Sequence, residues 1–449
     1  MSPDDHRSST AHGTVLVLEP ESSGIDLLAA AARLGLRAHV LDRRPLTQAP
    51  RAVRDLVGQG RAGYSVVDTR SEQRVIEAAT VLARRERVVG VVPGFEYAVP
   101  VAASVAAALG LPGLTPAAAA RLRHKGLMKA ELSAAGVAVA SGVPLRVGAV
   151  SEDVLLRAAA TVGFPAVVKP VDGSGSLGVL RVDSLAALRR HLEQAAADGA
   201  LDDMGLLVGE ELLLESYVAG PEFSVEGWVS GDGEVTIASV TEKLLGPEPY
   251  FVEVGHIVDA DQPQERWDAL SRLAQRAVAA LDLAVGVFHL EARLTPDGPV
   301  VMEIAARLGG DRIHRLVSAV HGRSLPEAAI RCLTGLPQPL SAAAGRSRIA
   351  ASVYFTAART GRIADPAALR NQLETCVRSA ADCRELSVDC APGAQVGPAS
   401  DFRQRFGHAV LLAPDRRSLT AVLAEVADAV DRALDEAATL PALVGAGTN

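Results

Sequence analysis

Glu291 and Glu303 each sit inside an apolar run of "GVFHLEARLTPDGPVVMEIAARLGGDRIH". The aliphatic residues on either side predict two strands, and Thr295–Pro299 predicts the turn that joins them into a hairpin. If the hairpin is centred on Asp297, Glu291 lies opposite Glu303, and His289 and Arg307 fall on the same face by the period of two. Like charges directly across a sheet destabilise it. A divalent cation held by both carboxylates reverses that penalty, and hard oxygen donors favour Mg²⁺, with Mn²⁺ as the alternative. The plain alternative is a register slipped by one residue, which turns one glutamate to solvent.

A second constellation is "VVKPVDGSGSLGV". Lys169 ends a buried strand, and Gly173, Ser174, Gly175, Ser176 and Gly178 follow with no large side chain before Leu177. Backbone N–H groups in such a loop are free to wrap an anion. The lysine precedes the glycines, so this is not a Walker loop. The competing reading is a flexible turn with a lysine at its rim. In "LLLESYVAGPEF" an apolar strand ends at Glu215, and Tyr217 and Val218 lead through a Gly-Pro turn to Glu222. Adenine needs a flat apolar slot edged by backbone hydrogen bonds, and a ribose needs a carboxylate to accept from its hydroxyls. A strand-to-loop crossing between two glutamates has those parts, although two surface glutamates around a turn would read the same.

The elements that must position these residues are legible in outline. "TVLVL", a loop "EPESSG", the helical spacing of Ile25, Leu28, Ala29 and Ala32, and "RAHVLD" make a βαβ unit. The pattern repeats through "YSVVDT", a helix over about 71–87, "VVGVVPG" and a helix after Pro100, which implies an open, mostly parallel sheet with helices on both faces. The loop lacks GxGxxG, so no dinucleotide site is expected there. The chain is expected to be helical over about 115–140, then to run through strands with Gly-rich turns, a helix over about 264–281, and a C-terminal alternation ending in a long amphipathic helix. The 449 residues are too many for one core. Boundaries are placed at 1–117, 118–212, 213–335 and 336–449.

Composition narrows the partners. A net charge of −8 argues against nucleic acid, which calls for a basic surface. No apolar run approaches the roughly 18–20 residues of a membrane span, and the polar start "MSPDDHRSSTAHG" is unlike a signal peptide. A cytoplasmic location is expected. Cys332, Cys376, Cys383 and Cys390, at spacings of 44, 7 and 7, contain no CxxC pair and read as free thiols.

These pieces in this order, with "HKGLMKAELSAAGV" ahead of them and "TGRI", "APGAQVGP" and "FRQRFGHAVLLAP" behind, resemble the ATP-grasp superfamily. Within it they resemble most the L-amino acid ligases that join two amino acids into a dipeptide. The resemblance covers nearly the whole chain. It implies an α/β fold of ATP-grasp type: an N-terminal βαβ open-sheet domain, a central lid subdomain and a C-terminal α+β half.

By motif match the resemblance implies ATP as substrate. Lys125 and Lys169 would contact its phosphates under Gly173–Gly178, Glu215 with the backbone at Tyr217 and Val218 would hold adenine, and Glu222 the ribose. Glu291 and Glu303 would hold Mg²⁺. A carboxylate would attack the γ-phosphorus, and an amine would then attack the acyl phosphate, with Arg307 and the Gly309–Gly310 backbone at the oxyanion. "PYFVEVGHIVDA" resembles the ligases' substrate segment. Glu253 would pair with a substrate ammonium, and His256 would orient a carboxyl group or accept a proton from the amine. Glu96, at the end of an N-terminal strand, is a further candidate for the ammonium, and Lys243 for the phosphates. Gly310 and Asp311 would border the substrates, with Asp311 favouring a polar or basic one.

Ala305 stands where most ATP-grasp enzymes carry a metal-binding Asn, which marks the dipeptide-ligase-like branch and leaves one or two metal ions open. The partners implied are small-molecule amino acids or carboxylates, with a homodimer compatible. Another ATP-grasp ligase or carboxylase of nucleotide or small-acid metabolism, or a non-catalytic ATP-binding homologue, are the alternatives.

Overall fold

The structure, a computed structural model, describes residues 13–148, 150–198, 211–339, 345, 347–378 and 381–436. Residues 1–12, the polar start, lie outside the described residues.

The N-terminal strands β1 (Thr14–Leu18), β2 (Arg37–Asp42), β3 (Ala62–Val66) and β4 (Val88–Pro93) are separated by α1 (Asp26–Arg33), α2 (Arg51–Gly58) and α3 (Glu72–Ala83), and α4 (Ala98–Leu109) follows. They form a parallel sheet in the order β3-β2-β1-β4. Every residue of β1 is buried because helices cover both faces. Val15 and Val17 pack with Leu27, Leu28 and Val53 of α1 and α2, while Leu16 and Leu18 pack with Val75, Ala102 and Val105 of α3 and α4. At the carboxyl ends of β1 and β4, where ligands of such sheets bind, the two loops touch. A Cβ on Gly24 would lie 1.8 Å from the carbonyl oxygen of Gly94, so only glycine fits.

The expected helix over 115–140 is two helices, α5 (Pro116–Arg123) and α6 (Lys125–Ala134). His124 adopts an extended conformation, and its Nδ1 accepts the Leu127 N–H at 3.2 Å. The Lys125 N–H, one of the orphan donors at a helix start, reaches Val171 O at 2.8 Å. The break therefore ties the start of α6 to the segment that begins the glycine loop.

The lid is an antiparallel sheet of β5 (Gly142–Arg146), β6 (Ala166–Pro170), β7 (Leu180–Val182) and β8 (Glu211–Ser216) in the order β5-β8-β6-β7. It is backed by α7 (Glu152–Val162) and α8 (Leu185–Asp198), around Leu145, Leu155, Val168, Leu188 and Leu214.

The largest sheet contains β9 (Glu222–Val229), β10 (Val235–Leu245), β11 (Glu253–Asp259), β12 (Gly286–Thr295), β13 (Gly298–Ala305) and β14 (Ile349–Tyr354). Past the short β15 (Gly361–Ile363), it takes in β16 (Asp382–Val388) and, after β17 (Ala394–Val396), β18 (Gly407–Ala413). Its eight strands run β13-β12-β9-β10-β11-β14-β18-β16, so one sheet crosses position 336. On one face α9 (Gln264–Ala280) packs on Phe223, Phe288 and Leu290. On the other, α10 (Ile313–His321) and α11 (Leu325–Thr334) pack on Trp228 and Val287 and join the N-terminal core. Beyond β14, α12 (Pro366–Arg378) and α13 (Arg416–Arg432) cover Ala351, Ala409 and Leu411. β15, β17 and β19 (Leu434–Glu436) form a small separate sheet.

The β12–β13 hairpin turns tighter than expected. Thr295 pairs with Gly298, so the turn is only Pro296 and Asp297. From that turn a regular ladder would set Glu291 against Met302. A bulge at Glu291/Ala292 absorbs one residue of β13 and restores the pair Glu291↔Glu303.

Candidate active site

A cavity of about 270 Å³ opens where the N-terminal sheet, the lid and the large sheet meet. Its walls include the loops after β1 and β4, the glycine loop, the β8–β9 crossing, strands β9–β13 and the C-terminal residues Phe402 and Arg405. Lys125, Lys169, Gly173, Ser174, Gly175, Ser176, Glu215, Val218, Glu222, Lys243, Glu253, Glu291, Glu303, Arg307, Gly310, Asp311 and Glu96 all line it.

At the lid end, Glu215 is buried between two ammonium groups, Lys129 Nζ at 2.8 Å and Lys169 Nζ at 2.9 Å. Burial opposes ionisation of Glu215, but the two lysines outweigh it and lower its pKa. Burial dominates at Lys129 and brings its pKa down to about 8 despite the carboxylate. Lys125 Nζ donates to Gly173 O at 2.7 Å and lies 3.0 Å from Glu303 Oε1, joining the glycine loop to β13. Ser176 Oγ donates to Phe251 O at 2.8 Å, and Arg123 donates to Asp172 O. Gly175 and Gly178 have φ of +61° and +70°, and Gly175 lies against the Phe402 ring.

At the centre, Lys243 Nζ lies 2.8 Å from each of Glu222, Glu253 and Glu291. Its side chain is only 2% exposed. Burial alone would strip its proton, yet three carboxylates raise its pKa well above the usual lysine value. Glu291 also meets His289 Nε2 at 3.2 Å, and His289 Nδ1 meets Glu226 at 3.0 Å. Burial works against charge on His289, but the two carboxylates hold its pKa at about 9. Glu226 is fully buried and accepts hydroxyls from Ser224 and Thr241 at 2.6 Å each.

Glu291 and Glu303 offer hard oxygen donors from paired strands, and each already has a cation beside it, Lys243 or Lys125. That donor set fits a divalent ion. Ala305 adds no donor. The phosphates of a nucleotide suit the glycine loop and its lysines.

At the far end, Arg307 pairs with the buried Glu96 and donates to Leu308 O at 2.7 Å. Glu253 lies 3.4 Å from His256, and Asp311 Oδ2 lies 3.1 Å from the same imidazole. Burial disfavours the imidazolium, but these carboxylates outweigh it and raise the His256 pKa to about 9. His256 is 1% exposed and stands behind Glu253 and Asp311 rather than in the cavity wall. The Asp311 carboxylate, expected from the sequence to favour a polar or basic substrate, is gripped by Arg405 at 2.6 and 3.1 Å.

Several other expected ligand groups are also engaged. Glu222 accepts from Arg293 at 2.9 Å as well as Lys243, and Val218 O accepts from Arg293 at 2.7 Å. Tyr217 donates its hydroxyl to Glu248 at 2.6 Å and stacks near Phe251, with centroids 6.5 Å apart. Gly178 turns back against Pro170.

Sequence reasoning passed over Lys129, Arg293, Phe402 and Arg405. Lys125 and Lys129 are one helical turn apart in "HKGLMK", a signal that pointed to one face bearing both. Nothing local announces Phe402 or Arg405, because their partners lie far away in the chain.

Residues 162–315 match the family described as ATP-grasp domain. An uncharacterized protein of Sinorhizobium fredii is 27% identical over 93% of this chain and 82% of its own length. Carnosine synthase 1 of Gallus gallus is 34% identical over 46% of this chain, a match that spans only 22% of that protein. In fold, the L-amino acid ligase from Bacillus licheniformis superposes with a TM-score of 0.72 at 21% identity, covering 94% of this chain and 98% of that one. The chain thus carries an ATP-grasp domain in an ATP-grasp fold. No described helix is long and apolar enough to cross a membrane.

Proposed function

We propose that this ATP-grasp protein is an ATP-dependent carboxylate-amine ligase that joins two amino acids, or an amino acid and a related amine or acid, and releases ADP and phosphate. The observation that carries the reading is the pair Glu291 and Glu303 set between Lys243 and Lys125 beside the glycine loop. A shared fold does not assign a reaction, so the residues must.

In this reading the glycine loop and Lys169 hold the ATP phosphates, and Glu291 and Glu303 hold Mg²⁺. When bound, the ion would supply positive charge that offsets the negative charge of the phosphates. The β8–β9 crossing takes the base, and Glu222, once released from Lys243 or Arg293, takes the ribose. The substrate carboxylate attacks the γ-phosphorus, the bond to the ADP oxygen breaks, and an acyl phosphate forms. An amine then attacks the acyl carbon, the bond from that carbon to the phosphate oxygen breaks, and the amine's proton leaves with the departing phosphate. Arg307 faces the developing oxyanion with the Gly309–Gly310 backbone beside it. His256, held as a buried cation, orients Glu253 and Asp311 rather than accepting the amine's proton. The glycine loop, pinned to Phe251 and resting on Phe402, excludes water that would hydrolyse the acyl phosphate.

The test is ADP release with all pairs of amino acids, with mass spectrometry of the product. Pair-dependent ADP release with a condensed product is expected. Tight ATP binding with no ADP from any pair would overturn the ligase reading in favour of a non-catalytic ATP-binding protein, and release driven by bicarbonate or formate would favour the carboxylase or formate-using alternative.

A further inference from the structure

Two consecutive non-glycine residues, Asp311 on the wall of the cavity and Arg312 next to it in the chain, have φ of +51° and +64°. L side chains avoid this left-handed region, and two in succession persist only where surrounding structure holds them. Both have partners in the C-terminal segment, and Asp311 also meets His256 of β11 at 3.1 Å. Asp311 receives two N–H groups of Arg405, at 2.6 and 3.1 Å. Arg312 donates to Glu385 at 2.8 Å and to the Tyr354 hydroxyl at 3.3 Å. The Arg405 guanidinium is itself fixed over the Tyr354 ring, 3.9 Å from its centroid, and donates to Phe402 O at 3.2 Å.

The turn so held runs straight on from Arg307. It carries Leu308, Gly310, Asp311 and Ile313 into the cavity wall, which Phe402 and Arg405 also line. Phe402 rests on Gly175 of the glycine loop, whereas Arg405 bonds to Asp311, Phe402 O and Glu253 O, none of them assigned to the nucleotide. The segment therefore bears on the amino-acid end of the cavity through the backbone of a strained turn.

We propose that Arg405 is a positioning and specificity-determining residue: by clamping Asp311 it holds the left-handed turn after Gly310 and so sets the shape of the amino-acid subsite. This rests on the ligase reading above. The bidentate geometry matters, because a lysine at 405 offers a point charge rather than a planar fork. The clamp acts on backbone conformation, so a glycine at 311, which adopts positive φ freely, removes the need for it.

The experiment compares the full-length wild type with Arg405→Ala, Arg405→Lys and the double variant Asp311→Gly, Arg405→Ala, in steady-state ADP release and in amide hydrogen exchange across 308–313. Arg405→Ala is expected to raise the amino-acid KM about tenfold or more, since small misplacements near reacting groups have large effects. It should leave the ATP KM within about twofold, shift the preference between small and bulky amino acids, and speed exchange in the turn. Arg405→Lys should behave like Arg405→Ala, and the double variant should recover most of both effects. An unchanged amino-acid KM, a double variant no better than the single one, or an ATP KM that rises in step would overturn the proposal. If wild type releases no ADP with any amino acid, the ligase reading fails by itself. The exchange data then still decide the clamp: faster exchange in Arg405→Ala, reversed in the double variant, upholds it, and no change refutes it.

Discussion

Glu291 and Glu303 are direct cross-strand partners because β13 carries one residue more than the tight turn would allow, and the bulge beside Glu291 takes it up. The bulge re-aims a side chain at the cavity, a recurring use of this irregularity beside functional sites. Without it, Glu303 would point to the other face of the sheet.

Glu303→Gln and Glu291→Gln should each lower ADP release about 100-fold or more, since a metal-stabilised transfer is worth several kcal/mol and each 1.36 kcal/mol is tenfold. Both should also blunt the Mg²⁺ dependence of ATP binding, read by equilibrium titration. Variants that keep wild-type rates and the same Mg²⁺ dependence would remove these residues from the metal site.

Lys243→Met leaves Glu222, Glu253 and Glu291 facing one another without their shared cation. The loss should be about 3–5 kcal/mol in urea unfolding, the usual cost of stripping one partner from a buried ionic cluster. Added Mg²⁺ should recover part of it, and more than it adds to wild type. A Mg²⁺ response no larger than that of wild type would show that the ion does not reach these carboxylates.

His256 has a folded-state pKa of about 9 against an ordinary 6.5. A raised pKa contributes stability that is complete below 6.5 and is lost as pH climbs through 9, on the order of 3 kcal/mol at its fullest. The destabilisation caused by His256→Gln should therefore be greatest near pH 6 and shrink toward pH 9. Comparing variant with wild type at each pH cancels Lys129, whose lowered pKa of about 8 works in the opposite sense. A pH-independent difference would mean the imidazole is not held as a cation.

Gly175→Ala places a Cβ 2.7 Å from the Phe402 ring at a φ of +61°. Strain of about 1–3 kcal/mol in the closed loop should lower kcat/KM at least tenfold, and a further Phe402→Ala change should recover only part, because the backbone penalty remains. Full recovery would assign the whole effect to the ring contact; no loss at all would show that the loop does not close on Phe402.

Much of the site was legible because its signals are local. The glycines around Ser174 and the apolar runs that bracket Glu291 and Glu303 express rules that operate within a few residues, and the parallel N-terminal sheet follows from repeated strand–helix units. The break at His124 was not legible, because an Ala-rich stretch reads as one helix until the Lys125 N–H finds Val171 O. Nor was the two-residue turn, whose bulge compensates for it so fully that the expected pair of glutamates stands.

The chain by itself determined which groups the site has to work with: lysines ahead of a glycine loop, glutamates at strand positions, an arginine and two glycines after them. Tertiary structure alone decided how those charges are spent. It set Lys243 among three glutamates, stood His256 behind Asp311 rather than in the cavity wall, and brought Arg405 across 94 positions to Asp311. Periodicity and turn chemistry act over one turn of helix or one hairpin. The pairing and pKa of buried charges depend instead on neighbours from several elements and on exclusion of water, and those exist only once the sheets have packed.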